Sequence, residues 1–239
     1  MFHTLFYEPL YNLIAFLLQV MPMHVIGLAV IAITCIVKGV LFPLNMSALR
    51  SQHVMKKLEG EMKSIKELYS KNPQESSKKM MELYKREGVN PFASLLVIII
   101  QIPILLALYF VISKGLHADV ESLYSFVTFP DTLHTMAFGI LDVTKHSLVI
   151  AILTGISSYV LAKRQTSTMV QVKESKDETF QDHFMKSMRI QLLYVLPVII
   201  AVSSYVLPAA LGLYWITGNI LGIFQDMYAK KKLTPHPVI

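Results

Sequence analysis

The stretch VIGLAVIAITCIVKGVLFPL, residues 25–44, decides the class of this chain. At a helical rise of about 1.5 Å per residue such a run is long enough to cross the hydrocarbon layer of a bilayer. Its single charged residue is Lys38. A lysine at that depth costs on the order of 3 kcal/mol on insertion scales, so it is expected to face protein or water. The plain reading is snorkelling, because Lys38 lies close enough to one end for its ammonium to reach headgroups. The alternative is a hydrated pocket, and the choice depends on what the rest of the chain brings to it.

Working outward, further apolar runs follow at 92–112, 146–162, 190–207 and 208–226. The last two meet at Pro208 and are expected to form a tight antiparallel hairpin. The predicted fold is therefore all-α and polytopic, with a five-transmembrane-helix core whose first span covers 23–45. With 54% hydrophobic and 16% charged residues among 239, the composition fits a membrane protein better than a soluble domain. Residues 1–22 mix apolar runs with Glu8, Pro9, Asn12 and Gln19, so an interfacial amphipathic helix is expected there. No cleavable signal is evident, and a mature form is equally compatible with this start. The loop 113–145 is rather apolar but broken by Pro130, Asp131, His134, Gly139 and Asp142, which suggests a segment on the membrane surface.

Charge sets the orientation. Basic residues crowd 46–91 (from Arg50, Lys56 and Lys57 to Lys85 and Arg86), 163–189 (Lys163, Arg164, Lys173, Lys176, Lys186, Arg189) and the tail 227–239 (Lys230, Lys231, Lys232). Short basic loops stay in the cytoplasm, which puts the N-terminus outside and the C-terminus inside. The same distribution assigns the net charge of +6 to topology and anionic lipid, and no nucleic-acid substrate is expected.

The segment 46–91 reads as a cytoplasmic helical hairpin. Met55, Leu58, Met62, Ile65 and Leu68 recur at helical spacing, Asn72-Pro73 supplies a turn, and Gly88 and Pro91 stop the second helix. Glu59 with Lys63 and Glu82 with Arg86 are the expected i,i+4 pairs. The segment is either a solvated connector or, through its methionines, a surface for varied apolar partners.

Several spans carry polar residues. Thr34, Lys38 and Asn45 share one face of the first span at i, i+4 spacing and beyond; Ser94 and Gln101 lie in the second, Thr154 and Ser158 in the third, Thr217 and Asn219 in the fifth. Most intramembrane Ser and Thr are ordinary interhelical hydrogen-bonders. Gathered around one cation they favour a hydrated pocket. No span holds an acid as a counter-ion, which speaks against a proton relay; Asp226, the last residue of the fifth span, is expected to pair at its cytoplasmic end. Cys35 alone allows no intramolecular disulfide and no Cys-cluster metal site. No phosphate loop, metal-spaced His/Glu pair or intramembrane protease arrangement is present, so neither catalysis, cofactor nor metal is expected.

Four ordered segments then carry a family resemblance: KGVLFPL at 38–44, MELYKREGVNP at 81–91, QIPI at 101–104 and LPAALGLYWITGN at 207–219. With these the chain resembles the YidC-type membrane protein insertases over nearly its whole length, in a short form lacking a large extracytoplasmic domain. The resemblance implies an inner-membrane protein with a hydrophilic groove open to cytoplasm and lipid. It implies nascent membrane proteins as substrates, inserted without nucleotide hydrolysis; a ribosome and a Sec-type translocon stay open as further partners. The family's groove cation is usually arginine, and Lys38 stands at that position with the charge but without the planar fork. Trp215 matches an aromatic facing the substrate path, with Tyr214 beside it. The expected groove residues are thus Lys38, Thr34, Gln101, Ser158, Trp215, Tyr214, Thr217 and Asn219. A competing reading is a small anion channel or transporter using Lys38 as its selecting charge, although no internal repeat supports it.

Overall fold

The computed structural model describes residues 1–90, 92–114, 116, 119–167, 187 and 189–233, with backbone only at 22, 94, 95 and 233. The expected loop residues Lys173, Lys176 and Lys186, the side chain of Ser94, Pro91 and the last residues of the tail lie outside it.

The described chain is almost wholly helical. A π-helical turn, His3–Tyr7, leads into α1 (Glu8–Val20), which is followed by α2 (Ile26–Val40) and α3 (Phe42–Lys57). Then come α4 (Glu59–Leu68), α5 (Pro73–Arg86), α6 (Ala93–Ser113) and α7 (Leu148–Thr166). A second π-helical turn, Gln191–Val195, runs into α8 (Leu196–Val206), and α9 (Ala209–Leu233) closes the bundle. By length and apolarity alone one described helix, over Leu96–Ser113, suffices to cross a bilayer. The pair α2 and α3 meets the same test only as a bent unit.

That bend is the main departure from the sequence reading. The apolar run 25–44 is not one straight helix: α2 ends at Val40, and α3 leaves it at 60°. Pro43, in the first turn of α3, has no N–H to give and its ring crowds the carbonyl four residues back, so the bend falls on the preceding turn. The i, i+7 register proposed for Asn45 therefore does not carry across from Lys38.

Other breaks have equally local causes. Asn72 caps α5 by accepting from Glu75 N–H at 3.2 Å, with Pro73 at the first helical position. Gly88, at φ +63, ends it in the left-handed conformation open to glycine. Here the ion pairs differ from expectation. Lys63 pairs with Glu67 at 3.6 Å, whereas Arg86 reaches across to Glu61 at 2.7 Å and also to its neighbour Glu87. A single guanidinium nitrogen, Nη2, meets both Glu61 oxygens at 2.7 Å, while Nε turns to Glu87, so the one cation is shared by two carboxylates.

α9 is the hub of the bundle, packing on α7, α2, α3 and α8. The core around it includes Ile33, Leu108, Val111 and Leu211, each at most 2% exposed. α1 packs one face on the bundle: Tyr11, Ile14 and Leu18 are buried in that same core, while Phe16 and Val20 are exposed. Tyr11 donates to Leu116 O at 2.8 Å, and Asn12 donates to Ser122 O and accepts from Tyr124 N–H, so α1 pins the loop that follows α6. The loop also forms a short hairpin, β1 (Met136–Ala137) with β2 (Leu141–Asp142), seated on Gly27 of α2. Beyond it, Val143 and Lys145 carbonyls accept from Ala210 and Ala209 N–H at 2.8 and 2.9 Å. They thereby satisfy the first amides of α9, which no helical carbonyl can reach.

Candidate functional site

Helical periodicity directs three side chains to one place. On α2 the buried positions Ile26, Val30, Ile33 and Thr34 form an inward stripe, and Lys38 continues it one turn beyond Thr34. On α6, Gln101 precedes the buried Ile104, Leu108 and Val111 on one side; the other side shows Ile98, Ile99, Ile102 and Leu106 to the outside. On α9, Leu211 and Tyr214 are buried and Gly218 follows one turn later.

These three stripes converge on the Lys38 ammonium. Its Nζ lies 3.5 Å from Gln101 Oε1, at the outer limit of a hydrogen bond, and Gln101 Nε2 donates in a short bond to the Tyr214 hydroxyl. Gly218 gives the lysine its seat: a Cβ there would stand 3.1 Å from Lys38 Cε. The Lys38 side chain is half-buried between α2, α6 and α9. Among the described residues no carboxylate accompanies it.

Of the remaining expected residues, Thr34 stays beside the cluster, and Ser158 and Asn219 lie apart from it. Thr34, fully buried beside Lys38, returns its hydroxyl to Val30 O at 2.6 Å. Asn219 turns to α7, donating to Ser157 and Ser158 at 3.0 and 2.9 Å. Thr154 completes that interface with Ser204 of α8 at 3.2 Å. Ser158 and Asn219 therefore satisfy each other between helices, as intramembrane hydroxyl and amide groups commonly do. Trp215, rotated about 100° from Tyr214 along the helix, is half-buried against the apolar core, and Thr217 is half-buried on α9. Gly218 escaped the sequence reading although it lies four residues from Tyr214 on the same face.

At the far end of α9 a second polar group forms around Asp226, which is fully buried. Its Oδ2 accepts from Arg164 Nε of α7 and pairs with Lys230 Nζ, both at 3.0 Å. Asp226 thus pairs at the end of its helix, as expected, and ties α7 to α9. No group of metal-binding side chains occurs among the described residues.

With this geometry in place, comparison with known proteins gives a consistent answer. The family described as 60Kd inner membrane protein matches residues 17–236. The membrane protein insertase YidC of Fusobacterium nucleatum is 31% identical over 230 residues, covering 95% of this chain and 97% of that protein. Its counterpart in Oceanobacillus iheyensis is 30% identical over 211 residues, or 87% of this chain and 75% of the relative. The Pseudoalteromonas atlantica protein of the same name is 30% identical over 199 residues, but these make up only 32% of its length. A match across nearly the whole chain, together with relatives of similar length, means that the chain belongs to the YidC-type membrane protein insertase family.

Proposed function

We propose that this chain is a membrane protein insertase that receives the polar segment of a nascent membrane protein beside Lys38 and releases its apolar helix sideways into lipid. It is not an enzyme, in keeping with its family. The observation that carries this reading is the position of Lys38: a cation on an inward-facing helical stripe, held by Gln101 and flanked by Tyr214 and Gly218, with no acid beside it among the described residues. A permanent internal cation suits transient acidic or polar guests better than a fixed structural partner.

In this reading α2, α6, α7, α8 with its preceding π turn, and α9 make the five crossings, with the N-terminus outside and the C-terminus in the cytoplasm. α4 and α5 form the cytoplasmic hairpin that first meets the substrate. Lys38, Gln101, Tyr214, Thr34, Trp215 and Thr217 line the path, whereas Ser158 and Asn219 hold α7 against α9. The apolar outer face of α6, with Ile98, Ile99 and Ile102 exposed, is the surface along which a substrate helix slides out. The driving force is ordinary: a guest helix gains by burying its apolar surface in lipid, and a wet cationic recess shortens the hydrocarbon its polar tail must cross. A ribosome delivering the substrate would meet the exposed Lys231 and Lys232 at the end of α9.

A photoreactive residue at position 38 or 215, in membranes synthesising a single-span protein, tests the reading. The expected result is an adduct with the nascent chain. Absence of any adduct, together with anion flux through the purified protein in liposomes, would overturn it.

A further inference from the structure

Beside the buried Asp226 a recess of about 500 Å³ opens between the ends of α7 and α9, lined by Tyr159, Val160, Lys163, Arg164, Ser167 and Lys230. It is outside the Lys38 cluster and has no part in the insertion path proposed above. Its lining divides in two. One half is basic, with three cations and, among the described residues, one carboxylate beside them, that of Asp226. The other half, Tyr159 and Val160, continues into the exposed apolar side of α7 at Ile156, with the Tyr159 ring 6.1 Å from that of Tyr194.

Lysines and arginines at a cytoplasmic helix end commonly do no more than fix topology. Two of these are different, because Asp226 holds them. Arg164 and Lys230 meet the same Oδ2 at 3.0 Å, which fixes their stems on either side of the recess, and Lys230 also donates to Arg164 O at 3.4 Å. Lys163 is exposed and makes no ion pair among the described residues. Among the described residues one carboxylate faces three positive charges, which leaves an excess of positive charge beside an apolar wall. That combination matches an amphiphile with an anionic head rather than a free anion, which would gain nothing from Tyr159 and Val160.

We propose that this recess is a binding site for an anionic glycerophospholipid, with its phosphate between Lys163, Arg164 and Lys230 and an acyl chain along Tyr159, Val160 and Ile156. The proposal rests on the topology given under the proposed function, which puts this end of α7 at the cytoplasmic leaflet.

The test is native mass spectrometry of the full chain purified in detergent and titrated with phosphatidylglycerol or phosphatidylcholine. The expected result is preferential retention of phosphatidylglycerol. Each juxtamembrane cation contributes about fivefold, so Lys163→Gln should weaken binding about fivefold and Lys163→Gln with Lys230→Gln about thirty-fold. Lys163→Gln guards against misfolding, since that side chain pairs with nothing in the described structure. Equal retention of the two lipids overturns the proposal. So does displacement of phosphatidylglycerol by millimolar inorganic phosphate, which would mark a plain anion site. A Lys163→Cys variant in a Cys35→Ser background separates the two levels of inference. Labelling by an impermeant maleimide only from outside the cell would overturn the topology and this site with it. Labelling from the cytoplasmic side with no lipid preference would overturn the lipid site alone.

Discussion

Replacing Gly212 and Gly218 by alanine, one at a time, should have opposite consequences although both lie on α9 and face neighbouring helices. At Gly212 an added Cβ would collide with Ile150 Cγ2 of α7 and stand 2.5 Å from Ser204 Oγ of α8. Neither neighbour can retreat easily: Ile150 is buried, and Ser204 is bonded to Thr154, whose hydroxyl also reaches Gly212 O at 3.4 Å. Overpacking of this kind costs about 1–3 kcal/mol, against which alanine recovers up to about 1 kcal/mol of helix propensity. With two contacts below 3 Å the upper half of that range applies, about 2–3 kcal/mol, and the net loss is about 1–2 kcal/mol. At Gly218 the Cβ meets Lys38 Cε at 3.1 Å and Nζ at 3.8 Å, atoms near the free end of a flexible chain that can move by a few tenths of an ångström, and lies in ordinary contact with Thr34 Cγ2 at 3.9 Å. There the propensity gain remains, and stability should be unchanged or higher by up to about 1 kcal/mol. Thermal unfolding of the detergent-solubilised protein reads this as a difference of several degrees between the variants. Equal melting of the Gly212→Ala protein and the wild type, or equal damage from both substitutions, would refute the packing described here.

Further outcomes follow from the same structure. Asp226→Asn leaves Arg164 and Lys230 without their shared carboxylate; since those side chains are 34% and 31% exposed, the cost should be about 1–2 kcal/mol, below the value for fully buried pairs, and measurable by thermal unfolding. Burial of His53 on α3 lowers its pKa below the usual 6.5, with Lys230, Lys56 and Lys57 acting in the same direction and Asp226 against them. Its contribution to stability is therefore present at neutral pH and is lost as pH falls below 6.5, levelling off below the folded value; His53→Gln should flatten that slope in a stability–pH profile. Lys38→Arg should retain insertion, whereas Lys38→Leu should impair chiefly substrates with acidic tails; matched acidic and neutral tails in a protease-protection assay decide it, and equal impairment would remove the charge argument. Tyr11→Phe breaks the bond to Leu116 O and should cost about 1 kcal/mol, visible as faster proteolysis of the loop after α6.

What could be read from the sequence was periodic or local. Long apolar runs located the helices, and Asn72-Pro73 and Gly88 marked the ends of α5 because capping depends on a few adjacent residues. The break at Leu41 was hidden, because apolarity says that residues 25–44 belong in hydrocarbon but nothing about the angle at which Pro43 lets the helix continue. The pairing of Gln101 with Tyr214, and of Arg86 with Glu61, depends on which helices become neighbours. For the same reason a shared polar character placed Asn219 and Ser158 with Lys38, while the bundle directs them to each other. Asp226 was legible in part: a buried acid near a basic helix end must find a cation, but that Arg164 would supply it from another helix was not encoded locally.

The two polar groups inside the bundle differ in how fully they are satisfied, and that difference separates structure from function. Asn219 donates to Ser157 and Ser158, and Thr154 meets both Ser204 and Gly212 O, so these groups have partners on facing helices. Lys38 has three N–H donors and one described acceptor at 3.5 Å, so most of its hydrogen-bonding capacity needs water or a guest. An acidic group approaching to about 4 Å would gain up to about 4 kcal/mol at an effective dielectric constant of about 20, and about 1 kcal/mol if the site were fully wet. That range is comparable to the roughly 3 kcal/mol needed to place one charge at bilayer depth. Attraction of this size can hold a polar tail in place for a time without trapping it. In the mechanism proposed above, release then follows from the apolar helix behind the tail, whose gain on entering lipid grows with every residue it buries while the pull of Lys38 does not.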